Sequence, residues 1–202
     1  MTRCDIGGHG PGTGRTLANV VMSLESDLDR PVTHRRTARV LLFEPGGRVL
    51  LFEDSDPSAP GAPTFWITPG GGVDPDETLL DAVVREVEEE TGLHLAPSAV
   101  RGPIAERTVV HAYSDKIAVQ SETFFVADAP SQEIVPAGLT EEEQLTVIGH
   151  RWWSLDELSR TERPVWPVGL PGLLAAVHAP ERWPVALSAA EESTVPTNHF
   201  AR

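Results

Sequence analysis

The sequence predicts an α/β fold, and three observations carry that expectation. Apolar runs of strand length alternate with segments of helical period, glycine and proline mark the changes between them, and two helix starts carry capping signals. Residues 1–33 hold GGHGPGTG and then a mixed stretch to Arg30-Pro31 without a sustained period, so a disordered N-terminal extension is expected there. Its GPGTGR segment lacks both the Lys-Ser/Thr ending and the preceding strand of a phosphate-binding loop. The folded domain is expected over 34–178.

Within that domain, ARVLLFE and RVLLFE flank Pro45-Gly46-Gly47 and read as a hairpin from Arg39 onward. A loop, DSDPSAPGAPT, leads to a short strand at Phe65-Trp66-Ile67 and then to the glycine loop Pro69-Gly70-Gly71-Gly72. Thr78 with Asp81 forms a capping box and Gly92 stands where a helix C′ residue would, which predicts a helix over Leu79 to Thr91. Ala105 to His111 and Lys116 to Ala127 read as paired strands, followed by a loop over Asp128 to Gly138. The acids that follow are read as part of a loop, then Thr146 to Trp153 as a strand. Ser154 with Glu157 opens a short helix through Ser159, and Val168 to Val177 forms a last helix. Residues 179–202 read as a loose C-terminal tail.

At 202 residues the chain suits one core with tails. No apolar run is long enough for a membrane helix, and no secretory h-region opens the sequence, so a cytoplasmic protein without a membrane partner is expected. The lone Cys4 excludes an intrachain disulfide and a cysteine metal cage. A formal net charge of −14 disfavours nucleic acid as a partner, because phosphate affinity comes largely from Lys and Arg. A small phosphate ligand would need positive charge from elsewhere.

That charge is suggested by the acids of the first helix. At 100° per residue Leu80, Val84, Val87 and Thr91 form a core stripe with Val83 at its margin, while Glu86, Glu89 and Glu90 share another face. Like charges in the last turn of a helix repel each other and meet the negative end of its dipole, which a shared divalent cation would relieve. Magnesium fits, since it takes carboxylate and phosphate oxygens and keeps several waters. Arg85 is placed to brace Glu86 and Glu89.

The pattern as a whole is more specific than any of its parts. Gly71, five residues, Glu77, seven residues, Arg85-Glu86-Val87, one residue, Glu89-Glu90, one residue and Gly92-Leu93 satisfy every fixed position of the Nudix box, and the chain resembles the Nudix hydrolase family over about residues 36 to 178. The resemblance implies a Nudix α/β/α sandwich around a mixed β-sheet and hydrolysis of a nucleoside diphosphate derivative. It further implies that Glu86, Glu89 and Glu90 hold Mg²⁺, with Mn²⁺ as substitute, that Gly70 or Gly71 offers a backbone carbonyl, and that Arg85 orients Glu86. Family members often use another Glu before a late strand as general base. Glu143, in Glu141-Glu142-Glu143, is the expected one here, against the alternative of three solvated loop glutamates.

Trp166-Pro167 resembles the Trp-Pro-Asp-Asp segment of oxidised-purine nucleoside triphosphatases, but Val168 and Gly169 replace both aspartates. The departure counts against that specificity and leaves Trp166 as a candidate substrate contact. Isopentenyl diphosphate isomerase, another use of this fold, needs a cysteine in its site, which Cys4 is not placed to supply. The expected function is hydrolysis of a small nucleotide, a di- or triphosphate or a diphosphate with another moiety, by a monomer or homodimer. The alternative is a nucleotide-binding or regulatory Nudix domain without turnover.

Overall fold

The central strand, β1 (Val32–Phe43), carries two kinds of side chain because successive residues of a strand face opposite sides. Ala38, Val40 and Leu42 enter one apolar cluster, and Leu41 enters another on the opposite face. The computed structural model describes residues 30–59, 61 and 64–197. The extension expected to be disordered lies outside them up to residue 29. Its last residues do not fit that expectation, since β1 starts at Val32 and Arg30 donates to the carbonyls of Tyr113 and Val195.

β1 pairs in parallel with β6 (Ile117–Asp128) along its whole length, and β6 pairs antiparallel with β5 (Arg101–Ala112). On the other side β1 meets β2 (Val49–Asp54) at the Phe43↔Val49 hairpin, then splays to accept β4 (Gly70–Gly72) opposite Thr37 to Arg39. β2 carries β3 (Phe65–Ile67) and β7 (Gly149–Trp153), and β8 (Val165–Trp166) joins β3 in parallel. The sheet is mixed, as expected. Helix α1 (Leu79–Thr91) covers one face over Ala38, Val40, Leu50 and Phe125. Helix α4 (Leu170–Ala176) covers the other over Leu41, Trp66 and Phe124, so an α/β/α sandwich forms.

α1 has the expected ends, with the Thr78–Asp81 capping box and Gly92 in the left-handed region at φ 70°. Its buried face differs from the predicted stripe. Ala82, Val83, Glu86, Val87 and Thr91 are buried, whereas Leu80 and Val84 are only half-buried. The cause is the glycine loop. A Cβ on Gly71 would lie 2.5 Å from a Glu86 carboxylate oxygen, so the missing side chain lets the helix settle on its Ala82–Glu86 side.

Two further expectations are corrected. Glu141 to Thr146 is a helix, α2, with its own Thr140–Glu143 capping box, and is followed after β7 by the short helix α3 (Leu155–Leu158). The segment read as a loose tail instead adds β9 (Val185–Ala186) and β10 (Ala190–Glu191) in parallel to β5. Glu192 holds it there with a fully buried carboxylate that Arg107 grips at 2.6 and 2.8 Å. No described helix is long and apolar enough to cross a membrane.

Candidate active site

Strand β4, the C-terminal half of α1 and the short helix α2 build the site together. Glu90 Oε2 accepts from the Gly70 amide at 2.8 Å, which ties the carboxylate to the loop. Gly70 has φ 118°, and a Cβ there would meet the Ala38 carbonyl oxygen at 2.2 Å, so glycine is required by both conformation and space. Its own carbonyl accepts from Arg39, whose guanidinium also reaches the Thr68 carbonyl at 3.2 Å and Glu122 at 3.3 Å. The carbonyl proposed as a metal ligand is therefore engaged by Arg39.

Arg85 spends all five of its N–H donors inside the site. Its Nε and Nη2 grip Glu77 at 2.9 Å each, Nη2 also reaches the Gly72 carbonyl at 2.8 Å, and Nη1 bridges Glu86 at 2.8 Å and Glu89 at 2.9 Å. An arginine so occupied positions carboxylates and has no donor left for a substrate. The fixed Glu77 of the motif thus has a physical task that its spacing alone does not disclose.

Of the three helix acids, Glu86 and Glu90 converge, and the third partner is Glu143 from α2. One oxygen from each lies within 4.8 Å of the others. Burial raises the Glu86 pKa against the opposing effect of Arg85, and burial followed by the charge of Glu86 pushes Glu90 up to about 8. Carboxylates crowded and desolvated in this way suit a shared divalent cation. Glu89 is turned away toward Arg85 and Gly138, beside a cavity of about 540 Å³ lined also by Glu77, Asp81 and Glu88. Glu143, and not Glu89, has an oxygen within 4.8 Å of both Glu86 and Glu90.

Glu143 also closes the α2 capping box, accepting from the Thr140 amide and hydroxyl at 2.8 Å. Trp166 is placed differently from expectation. It is 4% exposed, stacked on Phe65 with centroids 3.8 Å apart and flanked by His111 at 5.1 Å, so it serves as core. Arg39 was not singled out as a site residue in the sequence. The available signal was a charged residue between Ala38 and Val40, where the strand turns apolar.

A family profile for the NUDIX domain matches residues 33–171. The chain belongs to the NUDIX family. Among relatives, this NUDIX chain is 42% identical over 60 residues to the m7GpppN-mRNA hydrolase NUDT17 of Danio rerio, covering 30% of this chain and 20% of that one. It is 46% identical over 68 residues to an RNA pyrophosphohydrolase of Caulobacter vibrioides, covering 34% and 37%. The chain thus spans well under half the length of these relatives. A NUDIX hydrolase structure from Nitrosomonas europaea superposes with a TM-score of 0.52 at 19% identity, over 75% of this chain and 93% of that one. A MutT protein from Methanosarcina mazei Go1 gives 0.51 at 22% identity, over 77% and 99%. These two likenesses establish the shared fold.

Proposed function

We propose that this NUDIX chain is a Mg²⁺-dependent hydrolase that cleaves a diphosphate bond in a small nucleoside di- or triphosphate or nucleoside diphosphate derivative. The convergence of Glu86, Glu90 and Glu143 carries the reading. Glu86 and Glu90 would hold the cation, with Glu143 standing beside them and Glu89 supporting through Arg85. When bound, the cation supplies charge neutralisation at the diphosphate oxygens and lowers the pKa of a bound water.

The chain's own groups do the rest. Arg85 fixes the Glu86 carboxylate from one side while Gly71 closes the other, so its oxygens are held before any ligand arrives. The Gly70 amide fixes one oxygen of Glu90. Glu143 is the proposed proton acceptor, since it stands beside both and sits on a short helix that can adjust. Small nucleotides are favoured over RNA by the charge of −14, although relatives named for mRNA and RNA substrates keep RNA ends as the comparison substrate.

Release of phosphate or pyrophosphate from nucleoside triphosphates, and of a nucleoside monophosphate and a sugar phosphate from nucleotide sugars and ADP-ribose, should appear with Mg²⁺ and vanish in excess EDTA. Full turnover in EDTA would overturn the proposal.

A further inference from the structure

A substrate polyphosphate brings more negative charge than one divalent cation cancels, and it arrives at a site already rich in carboxylates. Arg85, Arg39, Lys116 and Arg35 are the basic side chains whose partners bear on that site. Arg85 is saturated by Glu77, Glu86, Glu89 and Gly72. Arg39 is committed to Glu122 and to the carbonyls of Thr68 and Gly70. Lys116 is paired with Glu142. Arg35 is different, since no described carboxylate lies within ion-pair distance of it.

Arg35 lies on β1 four residues before Arg39, on the same face and about 13 Å along the strand. Directly opposite on β6 is Gln120, which is fully buried. With the Gln120 amide oxygen turned toward it, Arg35 donates Nε at 3.1 Å and Nη2 at 2.8 Å. One edge of the planar guanidinium is thereby fixed, which leaves Nη1 available to an anion. Desolvation and then Arg39 lower its pKa, while Tyr113, Glu142 and, last, Glu86 act the other way, so one carboxylate of the cluster acts on its charge.

We propose that Arg35, oriented by Gln120, anchors the part of the substrate polyphosphate that extends away from the Glu86–Glu90–Glu143 cluster. The proposal rests on the hydrolase reading for its substrate, but the interaction itself is a cation holding phosphate oxygens. It makes Arg35 a binding residue, and Gln120 a positioning residue behind it. A fixed guanidinium also selects by length, because a substrate with a single phosphate beyond the cluster reaches it less well than a longer chain does.

The test separates phosphate binding from turnover. Inorganic tripolyphosphate is titrated calorimetrically into the Ca²⁺-loaded full chain, and Mn²⁺ binding is followed separately by electron paramagnetic resonance without polyphosphate. Arg35→Gln should weaken tripolyphosphate binding by about tenfold or more, Arg35→Lys by less, and both should leave Mn²⁺ affinity within about twofold. In turnover, Arg35→Gln should raise KM with kcat nearly unchanged. Tripolyphosphate binding equal to wild type in Arg35→Gln overturns the proposal, and so does a parallel loss of Mn²⁺ binding, which would make Arg35 part of the metal-site scaffold. If the wild type binds tripolyphosphate but hydrolyses nothing, the function proposal fails while Arg35 is still decided by the binding data.

Discussion

Glu86 and Glu143 share one cluster but differ in surroundings, and the proposed roles divide along that difference. Glu86 is buried, raised in pKa and gripped by Arg85, so its oxygens are fixed before a cation binds. Glu86→Gln keeps the shape and removes the charge. Mn²⁺ affinity should fall sharply and most of the rate with it, while thermal unfolding of the metal-free protein stays close to wild type, because one of three repelling carboxylates is gone. A collapse of the melting temperature would mark Glu86 as structural instead. Glu143→Gln should lower kcat by about 10²-fold to 10⁴-fold with KM little changed, the range for losing a positioned proton acceptor. Glutamine also serves at the third position of a capping box, so α2 should survive the change. Glu141→Gln and Glu142→Gln, measured alongside, should be nearly silent. Equal small effects from all three would return the triplet to a solvated acidic surface.

Elements were legible in the sequence where their determinants are local. α1 is specified by Thr78, Asp81 and Gly92 within its own span, and its limits agree with the expectation. α2 carried the same Thr-x-x-Glu signal at Thr140–Glu143, but the run of acids with few apolar partners read as loop. β9 and β10 carried no readable signal, because two-residue strands show no period. They are held instead by a partner distant in sequence. Glu192 is gripped by Arg107, accepts from the Val168 amide at 2.7 Å, and its backbone carbonyl meets His111 Nδ1 at 2.8 Å. Glu192→Ala should therefore leave Arg107 buried with one partner fewer and destabilise the fold by about 3–5 kcal/mol, read from urea unfolding. A loss below about 1 kcal/mol would mean that the C-terminal segment is only loosely applied.

For the molecule as a whole, the carboxylate cluster links stability to pH. The folded-state pKa of Glu90, about 8, exceeds its ordinary value of 4.5. Between those values the folded protein holds a proton that the unfolded chain has released, so the stability present at low pH declines as pH rises through about 8. On the proposed function a divalent cation would replace that proton. Melting scans without metal should fall from about pH 5 to pH 8, and excess Mg²⁺ should raise the melting temperature more at pH 8 than at pH 6. An Mg²⁺ effect independent of pH would separate Glu90 from the metal site. The sequence by itself determined α1 and its caps, the glycine loop beside it, and the spacing that puts Arg85 within reach of Glu86 and Glu89, because each depends on contacts within a few turns of one helix. The tertiary structure decided which acids meet. It placed Glu143 with Glu86 and Glu90, left Glu89 to Arg85, and buried Trp166 against Phe65. Those outcomes depend on sheet register and on Gly71 having no side chain, and these fix distances between segments far apart in the chain, which no local periodicity encodes.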